Sequence, residues 1–250
     1  MKNKENLIDY IKNLPEYELK EIFIQRGEYF KQKKFLAVTE VGKNESLSIV
    51  TNKYKLTQFR EIFLPIIEGV GDLNGEVKFY RGEGVLFIFP EGDKFVLNKD
   101  DKIGIAVFNS VTKKYAVIID FVVLKKDYYI ILPKQVTALR KKHIGNIKNL
   151  VQDYEGVLTK VKESWRVINE KFSRNISQEE IASLLDNLKL GDKLNKKVEK
   201  KFTEEVSLWE VFIEIINLIS DRKYKNEVNK IKKLKEISNA IFKYSILEEL

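Results

Sequence analysis

The stretch EVKFYRGEGVLFIFPEGDKFVLN, residues 76–98, decides the fold class. Its three runs rich in Val, Phe, Ile and Leu are cut by RGEG and EGD, clusters of turn-forming residues, which predicts strands joined by tight connections. The pattern continues through KIGIAVFNS (102–110), KYAVIIDFVVL (114–124) and DYYIIL (127–132), with NKDD, VTKK and KKD as further turns. Connections this short cannot carry a parallel crossover, so the region predicts an antiparallel meander. Most of Phe79, Phe87, Phe89, Phe95, Phe108, Tyr115 and Phe121 then belong to a sheet core rather than to a base-stacking platform.

Upstream, Leu7, Ile8, Ile11, Leu19, Ile22 and Phe23 predict two short helical pieces between Leu7 and Phe30, broken at Pro15. FLAVTEV (35–41) and SLSIV (46–50) flank GKNE and predict a hairpin. Thr57 is placed to cap a helix over LTQFREIFLPIIEGV (56–70), in which Phe59, Ile62, Phe63, Ile66 and Ile67 recur at helical spacing and Gly69 and Gly71 are stop signals.

Downstream of Pro133 the period turns helical, from Leu139 through Ile147, Leu150, Tyr154, Leu158, Val161, Trp165 and Ile168 to Phe172. This predicts one long helix over 134–172. Ser177 with Glu180, and Ser207 with Glu210, are capping boxes ahead of ASLLDNL and WEVFIEIINLI. Between them KLGDKLNKKVEKKFTEE is polar and lysine-rich, and reads as a mobile loop near 189–206. A last helix over 225–244 carries KIKKLK (230–235). The order is helices, hairpin, helix, meander, long helix and helical tail, which is α+β, with a core domain over 1–174 and a helical C-terminal region over 175–250.

The charge is uneven. The chain holds 45 Lys+Arg against 37 Asp+Glu, a formal net charge of +8, with a pI near 9.2. Residues 134–250 carry +6 of it and residues 1–133 only +2. Such an excess favours a polyanionic partner, nucleic acid first among them. The absence of cysteine rules out disulfides, thiolate metal sites and a cysteine nucleophile, and fits a reducing cytoplasm. An N-terminus without an apolar leader, and the lack of a long apolar run, predict a cytoplasmic protein with no membrane partner.

Candidate chemistry is sparse. His143 is the one histidine, set behind Arg140, Lys141 and Lys142 in RKKHIGNIKNL (140–150). No nucleophile motif accompanies it, and three neighbouring cations favour its neutral form. It reads as a phosphate-side hydrogen-bond donor or a helix-start residue rather than a catalyst. One histidine without cysteine cannot build a zinc site. Neither GxxxxGK[ST] nor GxGxxG occurs, so nothing predicts nucleotide chemistry or another cofactor. Asp72, Glu76 and Lys78 form an acidic pair ending in E-x-K, the material of a magnesium-dependent nuclease, with closer spacing than such folds use.

Nucleic acid is the stronger reading. Lys134, Arg140, Lys141, Lys142 and Lys148 crowd the start of the expected long helix, where close-set cations neutralise several phosphates. In TNKYKLTQFR, Lys53, Lys55 and Arg60 lie beside Tyr54, and an aromatic among cations suits single strands whose bases can stack. The alternative is a solvated lysine-rich surface on a protein-interaction module.

Four stretches resemble the phage/plasmid-like protein family, a domain of unknown function: YKLTQFREIF (54–63), FNSVTKKYAV (108–117), RKKHIGNI (140–147) and SLWEVFIEIINLIS (207–220). In that family an Asn-Ser pair ends a strand before the last hairpin and an Arg/His cluster opens the long helix, which correspond here to Asn109, Ser110, Arg140 and His143. The Cys-Asn pair that members carry before the long helix is replaced by ILPKQVTAL (131–139). The element order is also similar to ring-forming single-strand annealing proteins. That similarity implies a non-enzymatic homo-oligomer holding single-stranded DNA in a basic groove for recombination or mobile-element replication. The C-terminal helices either pack on the core or form an arm that recruits a protein partner.

Overall fold

The computed structural model describes residues 1–26, 28–98, 101–112, 117–125, 128–132, 139–140, 154–224 and 226–246. It is α+β, and the chain folds into two compact units, each discontinuous in sequence. Unit 1 takes in Met1–Phe95 and Gly104–Ile119 together with Leu139–Arg140. Unit 2 takes in Val96–Ile103, residues 120–132 and residues 154–246. Residues of the meander fall in both units.

Unit 1 begins with strand β1 (Lys2–Asn3) and helix α1 (Lys4–Lys12), capped by the Asn3 side chain on the Asn6 N–H at 3.0 Å. The helix expected around Leu7 and Ile11 forms, and both residues are buried. The second expected helical piece does not. Residues 17–26 are strand β2 (Tyr17–Arg26), paired antiparallel with β3 (Glu28–Glu40), which pairs in turn with β4 (Ser46–Thr51). Leu19, Ile22 and Phe23 have helical spacing, yet Leu19 lies opposite Val38 and Phe23 opposite Lys31. Tertiary pairing overrides so short a helical signal.

Helix α2 (Phe59–Gly69) follows, its N-cap being Gln58 in a capping box with Glu61 rather than Thr57. Its buried face, Phe59, Ile62, Phe63, Ile66 and Ile67, is the one expected from spacing. The meander comes next: β5 (Leu73–Tyr80), β6 (Glu83–Pro90), β7 (Val96–Asn98), β8 (Asp101–Ser110), β9 (Ile118–Lys125) and β10 (Tyr128–Ile131). Arg81 and Gly82 form the two-residue turn between β5 and β6, both with positive φ (44° and 78°), the geometry that matches strand twist. Within unit 1 the strand order is β1-β5-β6-β8. Every residue of β6 is buried, and at Gly84 there is no room for a side chain: a Cβ there would lie 2.7 Å from the Phe59 ring. Phe59 also meets Phe79 edge-on, with centroids 5.3 Å apart. Phe87, Phe89, Phe95, Phe108 and Phe121 are core, as expected, Phe79 is half-buried, and Tyr115 lies outside the described residues.

Strand β11 (Leu139–Arg140) pairs with Ile118 and Ile119, so the long helix does not run through Arg140. Among the described residues that helix is α3 (Tyr154–Phe172). In unit 2 it joins α4 (Gln178–Leu188), α5 (Asp192–Lys201), α6 (Leu208–Ser220) and α7 (Glu227–Ile246), with β12 (Asn175–Ile176) and β13 (Val206–Ser207) pairing between them. Trp165, Phe172, Trp209, Phe212 and Phe242 pack as one aromatic cluster. Both expected capping boxes form, Ser177 with Glu180 and Ser207 with Glu210. The Ser207 hydroxyl and N–H both donate to the Glu210 carboxylate, at 2.7 and 3.0 Å, which holds Glu210 below the usual carboxylate range. That cap is therefore intact above the ordinary Glu range and is lost as pH falls below it.

The stretch read as a mobile loop contains helix α5, because Leu194 and Val198 at i and i+4 find buried positions. Two apolar anchors among lysines are too sparse a stripe to announce a helix. No helix among the described residues is long and apolar enough to cross a membrane.

Candidate nucleic-acid interface

Strands β2 and β3 are longer than the sheet that holds them. Strand β4 pairs with β3 only from Phe35 to Thr39, whereas the β2 pairing extends outward through Phe23↔Lys31, Ile24↔Phe30 and Gln25↔Tyr29. Beyond Phe35 the hairpin is a two-stranded arm. Its base is fixed at several points. The Gln58 side chain accepts from the Tyr17 N–H (3.0 Å) and donates to the Tyr17 carbonyl (2.7 Å), substituting for a neighbouring strand. Arg60 pairs with Glu16 beside it. Ser48 donates to the Thr112 carbonyl at 3.3 Å, and Val38 and Val50 are buried beneath.

Directly opposed residues of an antiparallel pair share a face, and alternate residues of one strand do too. Tyr29 and Lys31 of β3 thus share one face of the arm with Phe23, which lies opposite Lys31; the register shifts between Glu21 and Phe23, so Lys33, Phe35 and Ile49 belong to the arm base rather than to that face. The arm and its base are open: Tyr29 is 72% exposed, Ile49 64%, Phe23 56% and Phe35 44%. On the opposite face of the tip Ile24 and Phe30 are exposed as well. A fully buried Phe contributes roughly 1.5–3 kcal/mol relative to an exposed one, so this arm leaves several such gains unrealised within its own unit. Exposed aromatics grouped this closely mark an interaction surface.

The cations follow the aromatics. Residues 23–34 hold Arg26, Lys31, Lys33 and Lys34 against Glu28 alone. Lys31 pairs with Glu21 across the hairpin. Asn52 ties the end of β4 to this region, its N–H donating to the Lys34 carbonyl at 3.0 Å and its amide to the Lys33 carbonyl at 2.9 Å. Lys53 therefore enters beside Lys33 and Lys34, and it is exposed, as is Lys55.

The residues singled out in sequence are divided by the structure. Lys53 follows Asn52 at the arm base, and Lys55 is exposed beyond it. Tyr54, between them, is half-buried and donates its hydroxyl to the Val111 carbonyl at 3.0 Å, so it anchors the loop rather than offering a ring to a base. Arg60 is held at the arm base by Glu16. Arg140 lies in β11, its side chain outside the described residues, and Lys134, Lys141, Lys142, His143 and Lys148 fall outside them altogether. Asn109 and Ser110 end β8 as buried residues, Ser110 sharing a 2.8 Å hydroxyl contact with Thr112. Of the nuclease candidates, Glu76 is ion-paired to Lys78 at 2.9 Å on β5 and Asp72 is exposed before it. Among the described residues no group of three or more His, Asp or Glu could hold a metal ion.

Sequence reasoning missed Phe23, Tyr29, Phe30, Lys31, Lys33, Lys34, Phe35 and Ile49. The available signal was FIQRGEYFKQKKF, two aromatic runs around Gly27, a hairpin pattern that the helical spacing of Leu19, Ile22 and Phe23 concealed. No family model matches the chain, and no match was found among curated proteins or solved structures.

Proposed function

We propose that this protein binds single-stranded nucleic acid along the open face of the β2–β3 arm and, as a homo-oligomer, holds the strand for pairing with its complement. The observation that carries the reading is Phe23, Tyr29 and Lys31 on one exposed face of the arm, with Lys33, Lys34 and Phe35 exposed at its base. Base stacking on aromatic side chains contributes about 1–3 kcal/mol per base, and it requires bases that are not already stacked in a duplex. Lysines between the rings neutralise the backbone that accompanies those bases. No step in this reading needs a metal, cofactor or bond-making residue. From sequence, Arg140, Lys141 and Lys142 form a further backbone contact, tested by replacing the three with Ala.

The deciding experiment is fluorescence anisotropy of the full chain with labelled single-stranded and duplex oligonucleotides across a salt series. Strand-selective, steeply salt-dependent binding supports the proposal. Its companion is size determination with and without the oligonucleotide, since an annealing ring predicts a large assembly.

A second reading has an observation of its own. Ile49 and Ile24 are aliphatic, exposed and useless for base stacking, and they fit a protein partner or a second copy of the arm. Equal, weak binding of both oligonucleotides would move the assignment there.

A further inference from the structure

Helix α5 (Asp192–Lys201) is a second charged surface, on the other unit and of a different kind. Lys193, Lys196, Lys197 and Lys200 are all exposed and fall at i, i+3, i+4 and i+7, so they occupy one face of the helix, opposite the buried Leu194 and Val198. The stripe spans about 10 Å of helix. Among the described residues none of the four has an ion-pair partner. Lys201, at the border of the buried face, pairs instead with Glu214 of α6. The helix's acids, Asp192 and Glu199, are seven apart and sit together on a flank of the stripe. Lys193 with Lys197, and Lys196 with Lys200, are like charges at i and i+4, which cost stability rather than add to it. Close by, Lys189 is exposed, and the Arg222 guanidinium donates to the Leu190 carbonyl at 3.1 Å, adding positive charge at the helix entrance.

We propose that this lysine face is a strand-indifferent contact for a phosphodiester backbone. Its chemistry is that of charge alone. The stripe contains no aromatic side chain, hence nothing that distinguishes a stacked base from an unstacked one, and lysine ammoniums bind phosphate as point charges. Single and double strands therefore bind it alike. The contact is independent of the arm, whose aromatics supply strand selectivity.

The test is anisotropy of the full chain with labelled oligo-dT and a labelled random-sequence duplex over a salt series, comparing wild type with K193Q/K196Q/K197Q/K200Q. The expected result is a fall of roughly 3 in the slope of log K against log salt on both probes, from four contacts at about 0.7–0.9 each. The corresponding Lys→Arg variant should keep the wild-type slope. Because Leu194 and Val198 are untouched and the like-charge pairs are relieved, the Gln variant should keep its urea midpoint or raise it slightly. An unchanged slope on both probes overturns the proposal, as does a change confined to oligo-dT or a wild-type chain that binds neither probe. F23A/Y29A, run alongside, should lose preference for oligo-dT and keep the duplex slope. If that pair has no effect while the lysine variant does, the arm reading fails and this one stands.

Discussion

Two lysine-rich helices of unit 2 read almost alike and have opposite fates. KLNKKVEKK in α5 and KIKKLK in α7 are equally dense in charge. In α7, Lys235 reaches the Asp120 carboxylate, which is 4% exposed, and Lys233 pairs with Glu236 at 3.1 Å. In α5 the four stripe lysines face outward, with no ion-pair partner among the described residues. The difference is not in the lysines. It lies in where unit 2 places its carboxylates, since a buried Asp must find a cation and a surface Lys need not find anything. Lysine density alone therefore separates neither an interface from a solvated surface nor a structural pair from either.

The comparison can be broken most forcefully at α7. Lys235→Met should leave Asp120 buried and unpaired and cost about 3–5 kcal/mol in urea unfolding, whereas adding Asp120→Leu should recover most of the loss. A loss under roughly 1 kcal/mol would mean that Asp120 does not depend on Lys235, and that both helices are merely solvated. Moving to unit 1, F23A/Y29A should weaken oligo-dT binding by about tenfold or more, from stacking of 1–3 kcal/mol per base, with little change in urea midpoint. A large loss of stability instead would make those rings structural. Ser177→Ala should cost about 1 kcal/mol by removing the α4 capping box, and it calibrates how far a local helix feature matters in this unit. The smallest effects sharpen the comparison directly. Lys197→Glu in α5 should stabilise by about 0.2–0.5 kcal/mol per relieved pair, while Lys233→Glu in α7 should destabilise by a similar amount through loss of Glu236.

The exposed arm teaches a related lesson about legibility. Periodicity reports a strand when one face is buried and the other wet, because burial selects residues on alternate positions. In β6 both faces are buried, and its apolar run was legible by length and bounding turns. At the tip of β2–β3 both faces are open, so Phe23 and Ile24, like Tyr29 and Phe30, are adjacent aromatics or aliphatics with no alternation between them. That is why Tyr17–Arg26 resembled a helix. The candidate site was half legible for the same reason: Lys53 and Lys55 announced themselves by composition, while the rings of the arm belong to a segment 18 residues upstream or more, tied to it through Asn52 and cross-strand register.

The sequence by itself determined the antiparallel meander, the buried face of α2 and both serine capping boxes, all of which depend on neighbours within a turn or a hairpin. It also determined that positive charge concentrates in the second half of the chain. Only the tertiary structure decided which lysines are consumed by buried carboxylates, that Tyr54 anchors a loop through the Val111 carbonyl, and that Phe23 and Tyr29 stand open on one face of the arm. Those outcomes depend on pairings between residues distant in sequence, whose free energy is set by burial and register rather than by any local preference.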